Sequence, residues 1–102
     1  MLGNKQRETL QRYADALKTG DPMEIRILIL PWRSFSREAG GGSGYRIILR
    51  LVYLADGEID FRDWLATCQE PASAEAKGVE IARYLRYTLL VEPERIRLSW
   101  GR

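Results

Sequence analysis

Apolar and polar residues change their spacing several times along this chain, and each change marks an element. Over residues 4–19, Leu10, Tyr13, Ala14 and Leu17 recur three and four apart, while Lys5, Arg7, Glu8, Arg12, Asp15 and Lys18 occupy the remaining surface. That spacing predicts an amphipathic helix. Asn4 is placed to cap it, and Gly20 followed by Asp21-Pro22 is placed to stop it. Residues 23–30, MEIRILIL, predict a strand that Pro31 interrupts. Residues 36–44, SREAGGGSG, form a glycine-rich loop, and residues 45–55, YRIILRLVYLA, predict a second, longer strand. The simplest arrangement of the two strands is a hairpin with an oversized loop.

The next stretch changes period. Phe61, Trp64, Leu65 and Cys68 recur at i, i+3, i+4 and i+7, which predicts a helix over about 60–69. Asp60 is placed to cap it, Asp63 lies in its first turn, and Glu70-Pro71 ends it. Asp56-Gly57 between alternating apolar residues is also a hairpin signal, so a short strand over 58–61 before that helix is the alternative. Ser73 is placed to cap a longer helix over about 74–90, with Ala74, Gly78, Ile81, Leu85 and Leu89 on one face. Glu92-Pro93 breaks it, and residues 94–100, ERIRLSW, alternate strictly as a final strand. The order is α-β-β-α-α-β. The expected fold is a single α+β domain over residues 1–102, with two layers: a small, three-stranded, mainly antiparallel sheet and helices on one of its faces.

Parity along the strands sorts their side chains between the two faces. One set holds Ile25, Ile27 and Ile29, then Tyr45, Ile47, Leu49, Leu51 and Tyr53, then Ile96, Leu98 and Trp100. This is the expected helix-packed core. The other holds Glu24, Arg26, Leu28, Leu30 and Trp32, then Arg46, Ile48, Arg50, Val52 and Leu54, then Arg95, Arg97 and Ser99. A solvated face is ordinarily Thr, Lys, Glu and Ser, and a buried one does not tolerate five unpaired arginines. Arginine and tryptophan among aliphatic residues are the composition of an interface. The competing arrangement has one of the chain's own helices covering the aliphatic part while the arginine stems reach past it to water.

Composition narrows the chemistry. The chain of 102 residues is 45% hydrophobic and 29% charged, with net charge +2, thirteen arginines, three lysines, one cysteine and no histidine. Arginine suits planar, paired and interfacial contacts. Histidine-based hydrolysis and a Cys/His zinc site are excluded, and so is an intramolecular disulfide. The N-terminal stretch MLGNKQRETLQR lacks the apolar core of a signal peptide, and no apolar run reaches bilayer length. A cytoplasmic location with no membrane partner is the expectation.

Three short stretches resemble known families. ADGEIDFRDWL at 55–65 resembles the second half of an EF-hand loop, with Asp56, Asp60 and Asp63 at its fifth, ninth and twelfth positions. Its first and third positions fall on Val52 and Leu54, which offer no side-chain oxygen, so no metal site is expected. KGVEIARYL resembles the last helix of OmpA-like peptidoglycan-binding domains, with Lys77-Gly78 where that family has Arg-Ala. EPERIRLSW is similar to the end of the small iron–sulfur subunit of methyl-viologen-reducing hydrogenases, a family that depends on several cysteines. No function follows from these stretches. The glycines of GGGSG lead into a strand rather than a helix N-terminus and are not followed by lysine, unlike a phosphate-binding loop.

The expected function is therefore a non-enzymatic protein-binding module: an adaptor, an assembly subunit or an inhibitor. It has no catalytic residues, metal or cofactor. Its partner-binding residues are Arg26, Leu28, Leu30, Trp32, Arg46, Ile48, Arg50, Val52, Arg95 and Arg97. The partner is another protein, acidic in character, or a second copy of the chain. The alternative is RNA or DNA binding by the same face. Single-strand binders interleave aromatic side chains with basic ones, and only Trp32 is expected on the arginine side.

Overall fold

The structure, a computed structural model, describes residues 1–20, 22–33, 43–53 and 61–101. It is an α+β fold of two helices over one four-stranded mixed sheet: α1 (Asn4–Leu17), β1 (Pro22–Arg33), β2 (Ser43–Tyr53), β3 (Phe61–Cys68), α2 (Pro71–Arg83) and β4 (Ile96–Trp100). The strand order is β3-β2-β1-β4. Strand β1 pairs antiparallel with β2 and parallel with β4, and β2 pairs antiparallel with β3.

Two expectations are corrected. The sheet has four strands rather than three, and its last strand is parallel to its neighbour because α2 carries the chain across the sheet from β3 to the far edge. The segment expected as a helix over about 60–69 is strand β3. Its register explains the misleading spacing. Ile47 faces Ala66 but Ile48 faces Trp64, so Leu65 is an extra residue, a bulge. One inserted residue switches side-chain parity partway along a strand, so Leu65 and Cys68 come to lie three apart on the core side and imitate a helical spacing. The Glu70-Pro71 pair opens α2 instead of ending a helix, with Pro71 at its first turn. Asp56, Asp60 and the glycines at 40–42 lie outside the described residues.

The core follows the predicted parity on β1 and β2, with Tyr45, Tyr53, Ile96 and Leu98 partly buried against it, but Trp100, expected in the core, is 47% exposed. Ile25, Ile27, Ile29, Ile47, Leu49 and Leu51 are buried beneath Leu10, Tyr13, Ala14 and Leu17 of α1 and Ala74 and Ile81 of α2. Gly78 lets α2 lie close on the sheet, since a Cβ there would stand 2.8 Å from Leu98 Cδ1. Pro31 is accommodated because β4 pairs only with Ile25–Ile29, leaving β1 an edge beyond that point. After Arg83 the helix widens into one π turn, Tyr84–Thr88. Among the described residues no helix is long and apolar enough to cross a membrane.

Tyr13 fixes α1 to the sheet. Its hydroxyl donates to Asp63 Oδ2 at 2.8 Å and lies 3.2 Å from the Leu49 carbonyl. Burial first, and then the bond to Asp63, push the Tyr13 phenol far above its ordinary pKa.

Candidate functional site

The face of the sheet opposite the helices carries an ordered pattern. Register places Arg97 beside Arg26, Arg26 beside Arg50, and Arg50 beside Arg62, so one arginine from every strand lies in a single row across the sheet. The next row reads Ser99, Leu28, Ile48, Trp64, and the one after it places Leu30, Arg46 and Thr67 side by side. Adjacent strands are about 4.8 Å apart, so the guanidinium row is dense.

Among the described residues its counter-charge is sparse. Glu24 alone serves two of the four: its Oε1 accepts from Arg26 Nε at 3.0 Å and its Oε2 from Arg97 Nε at 2.9 Å. Arg50 and Arg46 each keep a buried Nε with no hydrogen-bond partner among the described residues. Burial, and then the charges of Arg62, Arg26 and Arg46, lower the Arg50 pKa. Arginine stays protonated regardless, so this is a concentrated and under-compensated positive charge.

Next to the row stands an aromatic cluster. Trp32 and Trp64 meet edge to face, with ring centroids 5.7 Å apart, and the Arg46 guanidinium lies 5.8 Å from the Trp64 ring. Trp64 Nε1 donates to the Ala66 carbonyl at 3.1 Å and to Thr67 Oγ1 at 3.0 Å, and the residue is still 51% exposed. Ile48 is only 2% exposed although it lies outside the helix-packed core cluster, and Val52 is likewise buried. Both helices pack on the other face, so among the described residues no helix covers these two.

Nine of the ten expected binding residues stand together here: Arg26, Leu28, Leu30, Trp32, Arg46, Ile48, Arg50, Val52 and Arg97. Arg95 does not. It lies in the 3-10 turn Pro93–Arg95, and its Nη2 donates to the carbonyls of Leu17 and Pro22, tying the start of β4 to the end of α1. Arg62, Trp64 and Thr67 join the face, and the helical reading of their segment concealed them. Their alternation, Arg62 with Trp64 and then Thr67 beyond the bulge, was the available signal.

No protein-family model, curated protein or solved structure matches this chain. The geometry of the face is therefore the whole basis for a functional reading.

Proposed function

We propose that this chain is a non-catalytic binding module, cytoplasmic in location, whose sheet face opposite the helices takes an acidic protein surface. The observation that carries the reading is the four-strand arginine row served, among the described residues, by one glutamate. A fold has no use for such a row: in isolation it is self-repulsive, and it becomes favourable when carboxylates are set against it. The half-buried aliphatic side chains Leu28 and Leu30 beside it supply the apolar centre of an interface, with the buried Ile48 beneath them, and Trp32, Trp64 and the arginines supply its hot-spot residue types. A second copy of this face is a poor occupant, because it would set arginines against arginines.

Single-stranded nucleic acid is the second reading, and one observation favours it. Trp64 joins Trp32 on the arginine side, so two aromatics stand among the basic residues rather than one. The edge-to-face meeting of the two rings and the inward use of the Trp64 N–H favour the protein partner, because base stacking uses open, parallel ring faces.

The test is a comparison of the wild-type protein with the Arg46→Glu/Arg50→Glu variant. Each is titrated with poly-L-glutamate and with a single-stranded oligonucleotide, and each is used as bait against extract from the native host. The proposal expects an acidic protein retained by the wild type and lost by the variant, with poly-L-glutamate weakly bound and the oligonucleotide not. Oligonucleotide binding with a steep salt dependence would instead establish the second reading. Equal behaviour of the two baits would contradict both.

A further inference from the structure

We infer that two copies of this chain associate edge to edge through β4, joining their sheets into one and laying their α2 helices antiparallel across the junction. This surface is distinct from the arginine face.

The two edges of the sheet differ. Strand β3 is protected by its bulge at Leu65 and by Arg62 and Asp63. Strand β4 is the other edge and is regular. The Gly101 N–H donates to the Ile29 carbonyl at 2.9 Å. Backbone groups alternate in direction along a strand, so Arg97 and Ser99 also turn theirs toward β1. The N–H and C=O groups of Ile96, Leu98 and Trp100 therefore point away from the sheet, toward a further strand.

The sequence of β4 fits its own copy in one register. Antiparallel pairing centred on Leu98 uses all five residues, sets every outward-pointing residue opposite another, and places Arg97 against Ser99 and Ile96 against Trp100. Centring on Arg97 would oppose two arginines, and centring on Ser99 would leave part of the strand unpaired. Apolar surface surrounds this edge: Trp100 is 47% exposed, Val79 42% and Tyr87 61%. Between α2 and β4 lies a groove of about 280 Å³ lined by Val79, Ala82, Arg86, Ile96 and Leu98, among others.

The helix adds an independent match. Glu75, Val79 and Ala82 form a stripe at helical spacing on α2, and Arg86 follows in the π turn beyond it; Val79, Ala82 and Arg86 line the same groove, and Glu75 and Arg86 are both exposed. A twofold axis perpendicular to a continuous sheet keeps both α2 helices on the same face and makes them antiparallel. The stripe then opposes itself in reverse, Glu75 to Arg86 and Val79 to Ala82. Within one chain Glu75 and Arg86 are about 16 Å apart along the helix axis, too far to pair with each other.

Charge reversal tests this, read by sedimentation equilibrium across the micromolar range. The wild type is expected to be dimeric. Glu75→Arg and Arg86→Glu alone each damage both symmetric contacts and should weaken association by about tenfold. The Glu75→Arg/Arg86→Glu double variant should recover it, and an equimolar mixture of the two single variants should form heterodimers. Both positions of the swap are exposed in the single chain, and circular dichroism verifies that each variant is folded. A wild type that stays monomeric overturns the inference. A dimer indifferent to the single reversals, or not rescued by the double one, overturns this placement of the two copies.

Discussion

Ile25, Ile27 and Ile29 alternate along β1 with Arg26, Leu28 and Leu30, so one strand supplies two faces that obey different rules. On the helix side the three isoleucines are fully buried in the core, under α1 and α2. On the other side a buried Ile48 shares its face with guanidinium groups that, among the described residues, have too few carboxylates. The first face is settled by burial alone, since each large aliphatic side chain contributes about 1.5–3 kcal/mol when taken out of water. The second leaves its most polar atoms incompletely paired, and its side chains become mutually consistent only when something anionic is laid over them. The lesson is that alternation identifies the two faces, but charge balance distinguishes a face built for folding from one built for contact.

Substitutions on β1 should separate the two faces most sharply. Ile27→Ala is expected to cost about 2–5 kcal/mol, because it opens a cavity in a packed core. Leu28→Ala, its neighbour on the half-buried open face, should cost about 1 kcal/mol. Urea denaturation of the two variants measures the difference, and equal losses would mean that the open face is core as well.

Tyr13→Phe comes next. It removes the hydroxyl bond that holds α1 to Asp63, at an expected cost of about 1–2 kcal/mol. The pH dependence has a definite sign. The phenol pKa is raised in the folded protein, so the unfolded chain loses this proton first as pH rises. The Tyr13 contribution is therefore complete below the unfolded pKa of about 10 and declines above it. Alkaline titration of stability should show a drop above that pH that Tyr13→Phe diminishes.

A smaller effect of opposite sign is expected on the arginine face. Arg50→Met keeps the stem and removes a charge pressed by Arg26, Arg46 and Arg62. It should raise stability by about 1 kcal/mol, measured by the urea midpoint at constant slope. A loss of that size would show that Arg50 serves the fold.

Much of this was legible in the residues. The α1 stripe, strands β1, β2 and β4, the body of α2 and the core parity of β1 and β2 follow from spacing, because burial on a single face leaves a periodic trace; the ends of α2 do not, since Glu70 rather than Ser73 is its N-cap and it gives way to a π turn after Arg83. Strand β3 was not legible, because the bulge at Leu65 breaks its period and produces a helical spacing. Losing β3 also hid Arg62 and Trp64, and with them the continuity of the arginine row across four strands. The parallel pairing of β4 was equally hidden: ERIRLSW alternates in the same way whichever direction its neighbour runs, and the path of α2 decides it. Arg95 shows the limit of parity at an element's end. One residue before β4 begins, the backbone is already a 3-10 turn, and the side chain goes to Leu17 and Pro22 instead of the open face.

The most direct test is the thermal unfolding of the Arg46→Glu/Arg50→Glu variant beside the wild type. If the arginine row exists for a partner, the new carboxylates fall among Arg26, Arg62 and their neighbours, and the midpoint should stay within about 4 °C of wild type or rise. A fall well beyond that margin would show that these guanidinium groups hold the sheet together, and it would contradict the assignment of this face to binding.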